Sequence, residues 1–74
     1  MNNSIAITPQ VVKSVIEKRF NLNQLPLNSE LREFELKDAD LLQLRVHLFK
    51  VFGKDVRIRL RDTIYSLTDN LLAI

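Results

Sequence analysis

At 74 residues, 46% of them hydrophobic and with only one Gly and two Pro, the chain is long enough for one small domain over residues 1–74, and it reads as all-α. The absence of Cys excludes a disulfide framework, a thiolate metal site and thiol chemistry, so burial alone has to stabilise the fold. The formal charge of +2 is unevenly spread: residues 1–44 hold five basic and six acidic side chains, whereas residues 45–61 hold six basic side chains against Asp55 alone, a local +5.

Thr8 followed by Pro9 opens the first helix, the hydroxyl capping free amides and the proline sitting where its missing N–H is harmless. Val11, Val12, Val15, Ile16 and Phe20 recur at three- and four-residue spacing and line one face of a helix reaching Phe20. Asn21 to Ser29 is loop-like by its Asn and Pro content, yet Leu22, Leu25 and Leu27 lay it across the core. Ser29 is the expected cap of a short turn holding Leu31 and Phe34. Lys37 to Phe52, free of Gly and Pro, is the central helix, and Gly53 ends it in a left-handed conformation. Val56 to Arg61, VRIRLR, alternates as an edge strand does, while Leu60 to Tyr65 is also compatible with one short helix; periodicity leaves both open. Thr68 is the expected cap of a last, brief helix ending at Ile74.

The central helix carries two apolar stripes. At about 100° per residue, Leu41, Leu44, Leu48, Val51 and Phe52 cluster on one side, and Leu42, Val46 and Phe49 form a second stripe more than a quarter-turn away. One apolar face suffices for a helix in a small bundle. The second stripe therefore either packs against another element of this chain or is exposed for a partner.

Leu31 to Leu44, LREFELKDADLLQL, resembles the phosphopantetheine-attachment segment of acyl and peptidyl carrier proteins. Leu31, Glu33, Phe34, Leu36, Asp40 and Leu44 match that family's L-x-E-L-G-x-D-S-L motif and the helix after it, and Phe52-Gly53 matches the end of that helix. Leu60 to Ile74, LRDTIYSLTDNLLAI, is similar to the L-R-D-x-F-x-x-x-T-x-x-x-L-A segment of carrier domains from polyketide and nonribosomal peptide assembly lines. The resemblance covers nearly the whole chain and implies a small four-helix bundle: a first helix, a leucine-pinned loop, a central helix, a short third helix and a closing helix capped by Thr.

Several positions depart from the family. Glu35 stands where it has Gly, Lys37 where it has Asp, and Asp38 where it has the Ser whose hydroxyl attacks the pyrophosphate of coenzyme A. A carboxylate cannot form that stable phosphodiester. Shifting the register by one puts Ala39 at the serine position, which also lacks a nucleophile; Asp38 is the better placement, because it sets Leu44 and Leu48 on the core face without a gap before Phe52. The expectation is a carrier-like chain with no phosphopantetheine and no other cofactor. Asp38 itself reads as a structural residue, stabilising the helix dipole and capping free amides by about 0.5–1 kcal/mol.

Fatty-acid carriers typically present an acidic central helix, whereas Gln43, His47 and Lys50 occupy exposed positions here. The expected docking surface comprises Lys37, Asp38, Ala39, Leu42, Val46, Phe49 and Lys50 with a basic rim of Arg57, Arg59 and Arg61, and the resemblance implies a biosynthetic enzyme or another carrier as partner. No catalytic role is expected: His47 is a lone surface histidine, and Glu30, Glu33, Glu35, Asp38 and Asp40 lack the ligand spacing and turn glycine of a calcium loop. A rival from another class is a small basic nucleic-acid-binding protein using Lys50, Lys54, Arg57, Arg59 and Arg61, against which the acidic first half and the lack of a recognition-helix signature weigh. A further alternative is a working carrier whose attachment site has been altered. No apolar run approaches a membrane span, and MNNSIAITPQ lacks the basic and apolar parts of a secretory signal, which implies a cytoplasmic protein.

Overall fold

Thr8 sits in extended backbone and accepts the Val11 N–H on its hydroxyl at 3.2 Å, and Pro9 takes the first helical position of α1, Pro9–Phe20. The computed structural model describes residues 6–74, so part of the segment that bears on a secretory signal lies outside the described residues. Val12 and Ile16 are fully buried on the inner face of α1, and Val15 and Phe20 pack at its edge. Asn21 closes the helix in the left-handed conformation, φ 55°.

The loop that follows is held down by its leucines and by one polar tether. Leu25 is buried, Leu22 and Leu27 lie half-buried against the core, and the Leu25 N–H donates to a Glu17 carboxylate oxygen at 2.9 Å. A 3-10 turn spans Leu31–Phe34, and here the expected cap is corrected: Glu30, not Ser29, occupies the N-cap, and its N–H is accepted by the Glu33 carboxylate at 2.8 Å. The turn is fixed from below by Leu31 N–H to Asp62 O and Arg32 N–H to Leu60 O, both 2.9 Å.

α2 spans Asp38–Phe52. Lys37 is its N-cap residue and Asp38 its first helical residue, so the capping bond expected of Asp38 is made instead by Asp40, whose carboxylate accepts the Lys37 N–H at 2.8 Å. Two acidic side chains in that first turn oppose the helix dipole's positive end. Gly53, at φ +71°, ends the helix and donates to Phe49 O at 2.8 Å, as the sequence predicts.

Residues 54–59 carry no regular secondary structure, and no strand forms among the described residues. The alternation in VRIRLR therefore reports one-sided burial, Val56 and Ile58 inward and Arg57 and Arg59 outward, rather than pairing in a sheet. Leu60 to Tyr65 is not a separate helix: Leu60 and Arg61 form a turn, and Ile64 already belongs to α3, Ile64–Ala73. Thr63 caps α3 through a reciprocal box, its hydroxyl accepting the Ser66 N–H at 3.1 Å while the Ser66 hydroxyl accepts the Thr63 N–H at 2.8 Å. Thr68 is not the cap. It lies inside the helix, buried, and donates to Ile64 O at 2.7 Å.

The described residues thus form three α-helices and one 3-10 turn, an all-α fold. α1 packs against both α2 and α3. The core joins Val12 and Ile16 to Leu41, Leu44 and Leu48 of α2 and to Ile64, Leu67 and Leu71 of α3, with Leu25, Leu31, Leu36, Val56 and Ile58 supplied by the connections. Each fully buried aliphatic side chain contributes about 1.5–3 kcal/mol, and these contacts carry the stability of a chain without Cys.

Candidate functional site

Because Leu41, Leu44 and Leu48 commit one face of α2 to the core, the second stripe is turned to solvent. Leu42 is 64% exposed, Val46 52% and Phe49 53%. They follow each other at four and three residues, a ridge about 10 Å long at 1.5 Å per residue, and Ala39 lies exposed on the same face one turn earlier. This is contiguous apolar surface on the outside of a small domain.

The two flanks of the ridge differ in charge. On one, a hollow is lined by Gln43, His47 and Lys50 of α2 together with Arg19 from the last turn of α1. Arg19 is held there by its own neighbours: the guanidinium donates to the Gln43 side-chain oxygen at 2.9 Å and lies 5.5 Å from the centre of the Phe20 ring. On the other flank a hollow lies between the ridge, Arg45 and Asp55. Arg45 forks onto Asp55 with two bonds, 2.6 Å and 2.9 Å, and this hydrogen bonding holds the Asp55 carboxyl below its ordinary range. Toward the start of the helix, Asp38, Leu41, Leu42, Arg45, Arg57 and Ile58 enclose a third hollow.

The residues expected to form the docking surface are therefore only partly assembled. Lys37, Asp38 and Ala39 stand exposed at the start of α2, Leu42, Val46 and Phe49 form its ridge, Lys50 sits on one flank, and Arg57 reaches the Asp38 end of the other. Arg59 lines a further hollow with Asp55, Arg57, Asp62, Asn70 and Ile74 that includes none of the ridge residues, and Arg61 lies in the turn before α3. Neither joins the ridge. The basic segment is also spent in part on the fold, since Arg45 is tied to Asp55 and the Lys54 ammonium donates to Leu71 O near the C-terminal end of α3 at 3.1 Å. Arg19 belongs to the site and was not singled out by the sequence, where it reads as an ordinary basic residue ending a helix.

At the position that the sequence resemblance assigns to the attachment serine, the residues present do not fit a phosphopantetheine group. Asp38 offers a carboxylate and Ala39 a methyl, and residues 35–53 contain no Ser, Thr or Tyr. Among the described residues, no helix is long and apolar enough to cross a membrane. Comparison of the chain with protein-family models, with curated proteins and with solved structures gives no match. What fold and site define is a class: a small all-α domain with an apolar ridge on its central helix and one flank whose cations, Arg19 and Lys50, enter no ion pair among the described residues.

Proposed function

We propose that the chain is an acyl or peptidyl carrier-like domain without the phosphopantetheine-attachment serine, acting as a non-catalytic docking module toward a biosynthetic enzyme or another carrier in a fatty-acid, polyketide or nonribosomal-peptide type pathway. The observation that carries this reading is the exposed ridge Leu42, Val46 and Phe49 on the helix that begins at Asp38. A second observation supports the register. Glu35, which stands where carriers have Gly, adopts φ 62° and ψ 22°, the left-handed conformation that favours Gly. The order of elements supports it in part: first helix, leucine-pinned loop, motif turn and central helix ending in Phe52-Gly53, followed by a closing helix that starts at Ile64, ahead of Thr68. In this reading the family's short third helix is reduced to the turn at Leu60 and Arg61.

The test is the intact mass of the chain and of Asp38→Ser after incubation with coenzyme A and a broad-specificity phosphopantetheinyl transferase. Only Asp38→Ser is expected to gain the prosthetic group. Modification of the unaltered chain reveals a working carrier instead, and modification of neither removes the carrier reading.

A further inference from the structure

We infer that the ridge takes one edge of an acidic amphipathic helix from a partner protein, its apolar residues seated on Leu42, Val46 and Phe49 and its carboxylates set against Arg19 and Lys50. This assignment rests on the docking reading and names the chemistry of the occupant.

The spacing of the ridge matches another helix. Apolar residues at four and three positions apart on one helix leave grooves on either side, and a second helix laid alongside fills them from its own i, i+3, i+4 and i+7 positions. Charge then selects which helix. On the Arg45 side cations and carboxylates stand in equal number: Arg45 is bonded to Asp55 by the forked pair, and Arg57 lines with Asp38 the hollow at the start of the helix. On the other side Arg19 and Lys50 meet no carboxylate among the ion pairs of the described residues, and the neighbouring Gln43 and His47 add none. The surface is therefore basic along one long edge and balanced along the other, which calls for a partner with acid on one edge only.

That asymmetry separates the occupants. An anionic bilayer or a phosphate backbone presents negative charge across the whole ridge, so it would also meet the exposed carboxylates of Asp38 and Asp55. A helix, roughly 10 Å across, can place its carboxylates on the Arg19 and Lys50 edge alone. A second copy of this chain is poorly suited: antiparallel pairing of α2 about a twofold axis sets Arg19 and Lys50 against themselves, and parallel pairing sets them against the flank of balanced charge.

The experiment uses the full chain and two synthetic helical peptides of identical apolar face, one with Glu along a single edge and one with Lys there, read by titration of backbone amide signals. The Glu-edged peptide is expected to shift α2 signals around Val46 and to bind at least tenfold more tightly than the Lys-edged one, with affinity falling as salt rises. Reversal of both charges, Arg19→Glu with Lys50→Glu, is expected to weaken the Glu-edged peptide by about tenfold or more and to favour the Lys-edged one. Lys50 is exposed and its side chain makes no hydrogen bond among the described residues, so Lys50→Glu alone, expected to weaken binding in the same direction, serves if the double variant folds poorly. Binding of both peptides abolished by Val46→Asp but indifferent to the charge reversals overturns the acidic-edge inference while keeping the ridge as a docking site. Binding indifferent to Val46→Asp overturns the ridge and the docking reading with it. No binding of either peptide, or charge-dependent binding only to phosphatidylglycerol vesicles, to duplex DNA or between copies of the chain, overturns the inference in favour of that surface.

Discussion

Leu42 and Leu48 are the same residue in the same helix, one 64% exposed and the other fully buried, so truncating each to Ala isolates burial from every other variable. Helix propensity changes identically at both positions. Leu48→Ala removes three buried carbons and leaves a cavity between α2 and the rest of the core, a change that costs about 2.7–5 kcal/mol. A chain of this length is stabilised by about 4–11 kcal/mol at the usual 0.05–0.15 kcal/mol per residue, so this one truncation removes a large fraction of the total. Leu42→Ala loses only the third or so of the side chain that is covered, opens no cavity, and should cost less than about 1 kcal/mol. At about 4–8 °C per kcal/mol for a domain of this size, Leu48→Ala should lower Tm by more than about 10 °C and Leu42→Ala by a few degrees. Urea unfolding followed by far-UV circular dichroism, at several protein concentrations, gives the two free energies directly. Equal losses would refute the two-faced account of α2, and a Leu42→Ala loss that grows with protein concentration would show that the ridge is covered by a second copy.

Three further changes probe the local devices. Glu35→Gly should stabilise the chain by several tenths to about 1 kcal/mol, because the left-handed backbone there penalises a side chain with a Cβ, and a loss of stability in the same unfolding assay would contradict that geometry. Thr63→Ala should cost about 1 kcal/mol through loss of the α3 capping box, and it should lower helix content more than Thr68→Val, which removes a hydroxyl that only reinforces a bond inside the helix; the reverse order would place the cap at Thr68. The Asp55 carboxyl should titrate below the ordinary carboxylate range by carbon-detected NMR and return upward in Arg45→Ala. A depressed folded pKa contributes stability that is present above the unfolded value and lost as pH falls through the folded one. The difference in stability between the two proteins should therefore vanish in acid, and being an exposed pair it should also shrink with salt.

How much of this was legible in the sequence follows from the range of the interactions involved. Thr8 and Pro9 are read correctly because an N-cap is a contact three residues long, and Gly53 because the left-handed position it fills is local. Thr63 was legible in principle, as Thr-x-x-Ser, but Thr68 offers the same hydroxyl before another apolar run, and only the packing of Ile64 into the core decides between them. The alternation in VRIRLR is a true signal of one-sided burial that carries no information on whether a neighbouring strand exists. The two stripes of α2 could not be ranked by periodicity. The side with Leu41, Leu44, Leu48, Val51 and Phe52 simply has more apolar volume to bury, and once it is inward the ridge must face out. Arg19 joins the site through a bond to Gln43, twenty-four residues away, and no local pattern reports that.

The backbone ahead of Asp38 bears on what the Asp38→Ser experiment can separate. A Glu held in the left-handed region is costly, by about 1–2 kcal/mol, and a free loop would relax to negative φ. Here the turn is fixed on both sides: the Leu31 and Arg32 amides are bonded to Asp62 and Leu60, and Leu36, immediately after Glu35, is buried in the core. The core therefore imposes the bend whatever residue occupies position 35, and α2 starts where it does because Leu36 and Leu41 are both committed inward. Asp38 is exposed at that fixed starting point and its own side chain makes no contact on which the bend depends. Replacing its carboxylate by a hydroxyl changes the chemistry at the position while leaving the geometry in place, so a gain of modification in Asp38→Ser would report that a transferase recognises this shape, and its failure could not be attributed to a displaced helix.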